Sequence, residues 1–69
     1  MGKYDLLGEK YPVQSRYFNG EEFELYDGLG VHDGTTRKAV AQKAADELRK
    51  HGNRARVVKS MGKYWVYWS

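Results

Sequence analysis

Sixty-nine residues, no cysteine and a net charge of +3 describe one small domain, near the lower limit for a core that holds without staples. Disulfide frameworks and thiolate metal sites are excluded. So is a membrane span, because no apolar run is long enough. The start, Met1-Gly2-Lys3-Tyr4-Asp5-Leu6, has neither a signal-peptide apolar stretch nor a myristoylation pattern. The expectation is a soluble cytoplasmic protein in which 1–69 form one unit and 1–10 are a partly ordered N-terminal segment.

Residues 11–18 and 21–27 flank Asn19-Gly20, a strong hairpin signal. A two-residue turn would pair Phe18 with Glu21 and Arg16 with Phe23, scattering apolar side chains over both faces. A three-residue loop, Phe18-Asn19-Gly20, pairs Tyr17 with Glu21, Ser15 with Phe23 and Val13 with Leu25, and gathers the apolar set on one side. A one-residue slip turns every side chain over. For a protein with one core, the three-residue loop is therefore the expected register. For the stretch from Tyr26 to Gly34, two readings stand: a strand that continues through a glycine kink, or a strand that ends at Gly28 before a loop.

Thr35 or Asp33 is the expected N-cap of a helix over 36–51. At 100° per residue Val40, Ala41, Ala44, Ala45 and Leu48 share one arc, with Lys38, Gln42, Lys43, Asp46, Arg49 and Lys50 opposite. Gly52 suits the left-handed position that closes a helix. The cations of the polar face have acids at helical spacing, which is ordinary solvated-surface chemistry.

Residues 54–59 and 63–68 form a second hairpin around Ser60-Met61-Gly62. A two-residue turn at Met61-Gly62 and a four-residue loop both pair Lys59 with Tyr64, Val57 with Val66 and Ala55 with Trp68, the expected register; a three-residue loop would change this pairing. Val58 with Trp65 and Arg56 with Tyr67 then share the other face, which Arg54 extends. The order predicts an α+β fold, ββαββ, with a four-stranded, mostly antiparallel sheet and one amphipathic helix packed on one face. The expected core is Val13, Phe23, Leu25, Val40, Ala41, Ala44, Leu48, Val57, Val66 and Trp68.

One helix covers one sheet face, so the other is expected to lie open with Arg54, Arg56, Trp65 and Tyr67 on it and Lys59 and Lys63 at the turn. Cations neutralise phosphates and flat rings stack on unpaired bases. The favoured reading is therefore a non-enzymatic nucleic-acid-binding protein. The same residue types anchor protein interfaces, so a protein-interaction module, as a homodimer or as an inhibitor or accessory subunit of a larger complex, is the alternative. Charge asymmetry suits both. Residues 1–34 carry three cations against seven carboxylates, and residues 35–69 carry nine against two.

A second candidate is an anion site at the helix start, Gly34, Thr35, Thr36, Arg37 and Lys38, where free backbone N–H groups collect. The glycines from Gly28 to Gly34 are a weak match to a dinucleotide fingerprint, with Asp33 where the third glycine belongs. His32 and His51 do not share a metal-ligand spacing, and no nucleophile has an evident base. No catalytic residue, metal, cofactor or small-molecule substrate is expected.

Overall fold

The computed structural model describes residues 12–69. Its elements are β1 (Ser15–Phe18), β2 (Glu21–Leu25), α1 (Lys38–Lys50), β3 (Ala55–Ser60) and β4 (Lys63–Trp68). The four strands form one curled sheet in the order β1-β2-β4-β3, with every pairing antiparallel. The ββαββ expectation holds. Among the described residues, no helix is long and apolar enough to cross a membrane.

The second hairpin has the expected register throughout, including Val57 with Val66 and Val58 with Trp65. Met61 and Gly62 turn it with φ of 56° and 75°, the left-handed pair of a two-residue hairpin loop. α1 is two residues shorter at its start than expected. Its N-cap is Arg37, in extended conformation and without a side-chain cap. Thr35 is instead held in the sheet by a bridge to Tyr64, and its Oγ1 accepts the Arg37 N–H at 3.1 Å. The helix end is as expected: Gly52 N–H donates to Arg49 O and Asn53 N–H to Leu48 O, the paired bonds of a left-handed helix stop.

The first hairpin corrects the sequence reading. Its turn is the two-residue Asn19-Gly20, with φ of 54° and 83°. Phe18 pairs with Glu21, Tyr17 with Glu22, Arg16 with Phe23 and Ser15 with Glu24. Two left-handed residues match the natural twist of the strands. This register also sets Phe18, Phe23 and Leu25 on the side of Trp65 and Tyr67 and leaves Tyr17 exposed on the other.

β2 joins β4 through Leu25 with Tyr67 and Glu24 with Trp68. Opposed residues share a face, so Phe23 and Leu25 lie with Tyr67 and Trp65, away from the helix. The expectation that they pack beneath α1 fails. The core between α1 and the sheet is Ala41, Ala44, Ala45 and Leu48 of the helix with Val31, Ala55 and Val66, flanked by Tyr26, Val40, Val57, Tyr64 and Trp68. The small alanines let the helix sit close to β3 and β4. Val13, expected in the core, is 61% exposed.

Between Tyr26, whose N–H donates to Val66 O at 2.8 Å, and Thr35, the chain leaves the edge of β4 and returns to it. The excursion makes two tight turns, closed by Val31 N–H to Gly28 O and by Gly34 N–H to Val31 O. Val31 enters the helix-side core between them and is fully buried. The strand therefore ends before Gly28, and a structured loop follows.

Candidate functional site

The sheet face opposite α1 was expected to be open. It is instead a second core. Phe23, Trp65 and Tyr67 are buried there, with Phe18, Leu25 and Val58 packed around them. Both Trp65 and Tyr67 have 0% of their surface exposed. Phe18 meets Phe23 edge to face at 5.1 Å and Tyr67 at 6.1 Å. The Arg16 guanidinium lies 5.8 Å from the Phe18 ring centre and 5.7 Å from that of Tyr67. Trp65 Nε1–H donates to Ser60 O at 2.8 Å, and Tyr67 O–H to Val13 O at 2.6 Å. Both polar tips are thus satisfied, as buried Trp and Tyr require. The side assignment of these two rings is right, but their availability for stacking is not.

Burial pushes the Tyr67 phenol above its ordinary value of 10.0, and the Arg16 guanidinium beside it partly opposes the rise. A phenol whose pKa is higher folded than unfolded loses stability as pH climbs from about 10 through the folded value. Urea midpoints should therefore hold steady below pH 9 and fall above pH 10. Tyr67→Phe should flatten that fall and lower the neutral-pH stability by about 1 kcal/mol for the lost hydrogen bond. An equally steep alkaline fall in the variant would assign the effect to the other tyrosines.

Of the six residues expected to form the site, the structure groups two. Arg54 and Arg56 border a cleft of about 440 Å³ at the end of the sheet, with Phe18, Phe23, Glu21 and Arg49 also on its wall. Arg56 lies 5.0 Å from the Phe18 ring centre. Arg54 pairs with Glu21, whose other oxygen accepts from Ser69 Oγ at 3.0 Å. Lys59 and Lys63 are elsewhere. Lys59 points to the helix side, 5.7 Å from the Tyr64 ring centre, and Lys63 Nζ donates to Asp33 O at 3.1 Å.

Arg49 is the residue that sequence reasoning missed. Its Nη1 meets Asp46 Oδ1 at 3.0 Å, the ordinary helical pair. Its Nη2 reaches out of the helix to Ala55 O at 2.8 Å. That second bond carries its guanidinium to the cleft. Three arginines from α1, β3 and the connection between them therefore converge on one wall. Guanidinium groups offer forked donors that match carboxylates and phosphates.

No known protein family, curated protein or solved structure matches this chain.

The expected anion site at the helix start is not assembled as such. Thr35 is engaged with Tyr64 and Arg37, and α1 begins only at Lys38. A side chain at Gly34 would meet Trp65 Cζ2 at 2.9 Å, so this glycine serves the packing of the indole. His32 and Asp33 lie 3.7 Å apart in solvent. Among the described residues, no cluster of His, Cys, Asp or Glu could hold a metal ion. On the helix side of the sheet, Glu22 and Glu24 border a hollow of about 290 Å³ with Trp68 and Ser69. Glu21, by contrast, pairs with Arg54 at the arginine cleft, so carboxylates and cations from the two halves of the sequence meet there.

Proposed function

We propose that this protein is a small non-enzymatic interaction module that receives an acidic protein partner at the arginine cleft. The observation that carries the reading is the convergence of Arg49, Arg54 and Arg56 beside Phe18 on one concave surface. Arginine over an aromatic ring is an enriched interface pairing. The burial of Trp65 and Tyr67 removes the stacking platform on which nucleic-acid binding was to rest.

Nucleic acid is the second reading, because the same guanidinium forks bind phosphate. Titrating the protein separately with poly-glutamate and with oligo-thymidylate distinguishes the two. The acidic-protein reading expects poly-glutamate to bind. The double variant Arg54→Ser, Arg56→Ser should then bind about tenfold more weakly, since two exposed charge contacts contribute roughly 1.4 kcal/mol together. Tight oligo-thymidylate binding with steep salt dependence, and none to poly-glutamate, would establish the second reading. If neither polymer binds, the cleft is not an anion-binding surface.

A further inference from the structure

β3 is an edge strand of the described sheet, and its outward backbone can be read from its pairing. Arg54 and Ser69 exchange both N–H···O bonds, at 3.1 and 3.0 Å. In an antiparallel pair such residues alternate with ones whose backbone points away. Arg56, Val58 and Ser60 therefore bond β4, following the register, while Ala55, Val57 and Lys59 present their N–H and C=O groups outward. The Ala55 carbonyl is already taken by Arg49 Nη2. The outward groups of Val57 and Lys59 have no partner among the described residues.

We infer that β3 accepts an extended acidic segment of a partner as a fifth strand, with carboxylates at alternate positions falling beside Arg54 and Arg56. This rests on the acidic-partner reading above and specifies how that partner binds. The edge is continuous with the cleft, since Ala55 and Arg56 belong to both and Arg54, on the cleft wall, extends the pairing by its bonds to Ser69. A strand added there places every second side chain on the face of Arg54, Arg56 and Val58, and the others beside Ala55 and Val57. β3 itself contains no carboxylate. Charge selects the occupant: pairing with a second copy would set Arg54, Arg56 and Lys59 of both chains side by side, a repulsion that typically guards edges against self-association. An acidic strand turns the same cations into attraction.

The test uses the full chain and an acetylated, amidated hexapeptide alternating Glu and Val, followed by amide hydrogen exchange and chemical shifts. Binding with a Kd on the order of 1 mM or tighter should slow exchange at the Val57 and Lys59 amides. Methylating the peptide nitrogens that face β3 leaves its charge unchanged and should weaken binding at least roughly tenfold, through the loss of main-chain hydrogen bonds. A matching peptide of Lys and Val should not bind. Shifts confined to Arg49, Arg54 and Arg56 and indifferent to methylation would overturn strand addition while leaving the acidic-partner reading in place. The absence of any response to the Glu-Val peptide also overturns it, and the poly-glutamate titration then decides whether the broader reading falls too. Protection of Val57 and Lys59 that rises with protein concentration alone would make the occupant a second copy.

Discussion

Trp65→Ala should leave this protein without a cooperative unfolding transition near room temperature, or with one lowered by at least about 15 °C. The indole is fully buried in the core on the far side of the sheet from α1. Truncating a buried Trp costs about 3–5 kcal/mol. A chain of this length is stable by only about 3–10 kcal/mol in total, and each 1 kcal/mol moves the midpoint of a domain this size by roughly 4–8 °C. Losing the indole also leaves Ser60 O without the donor that meets it at 2.8 Å. Trp65→Phe separates the two contributions, because it keeps most of the apolar volume and loses only the hydrogen bond and part of the fill. Its cost should be about 1–2 kcal/mol. Trp68→Ala is the comparison on the helix side. That ring is only partly buried, packed edge to face on Tyr26 at 5.1 Å, and its removal should cost less than that of Trp65. Thermal and urea unfolding followed by circular dichroism measure all three. A Trp65→Ala variant with the native midpoint would show that the second core does not hold the sheet together.

That second core explains which parts of the molecule were legible in the sequence. The second hairpin and the helix were, because their signals are local: Met61-Gly62 sets one register, and the spacing of Val40, Ala41, Ala44 and Leu48 sets one face. The first hairpin is less legible, because gathering apolar residues on one side favours a register the chain does not adopt. That criterion counted Val13 and Tyr17 among the residues to be gathered, though both are exposed, and it overruled the Asn19-Gly20 turn that the chain adopts. Once Phe18 and Phe23 have Tyr67 to meet, a strand pair with apolar groups on that side and Tyr17, 70% exposed, on the other is consistent. Their partners lie more than forty residues away in sequence, and no local pattern says on which side of β4 the parity of β2 will fall. The candidate site was half legible for the same reason. Arg54 and Arg56 follow from strand alternation, which is local. Arg49 does not, because its Asp46 partner at i−3 already accounts for it on the helix, and its reach to Ala55 O depends on how closely the alanine face lets α1 approach β3.

Gly34→Ala carries the other large effect, because two costs meet at one residue. The backbone there has φ of +76°, in the left-handed region where a side chain costs about 1–2 kcal/mol. A Cβ would also lie 2.9 Å from Trp65 Cζ2 and 3.0 Å from both Trp65 Cε2 and Lys63 Cδ. The lysine tail can move aside. The indole cannot do so cheaply, since it is enclosed and tied to Ser60 O, and such overpacking costs about 1–3 kcal/mol. The sum is about 2–5 kcal/mol, enough to remove much of the stability of so short a chain. Gly20→Ala supplies the reference: its φ is +83°, and nothing lies within 4 Å of a Cβ built there. It should show the conformational cost alone. The difference between the two urea midpoints, at equal m-values, therefore measures the crowding of Trp65 by the loop that returns to β4. Gly34 precedes Thr35, whose N–H donates to Tyr64 O at 2.9 Å and whose carbonyl accepts the Tyr64 N–H at 2.6 Å. A substitution that pushes Gly34 off the indole must strain that bridge, so faster amide exchange at Thr35 and Tyr64 should accompany the loss of stability. Equal costs at Gly20 and Gly34, with both amides still protected, would mean that the loop does not press on the indole and that the seal over Trp65 is made by other residues.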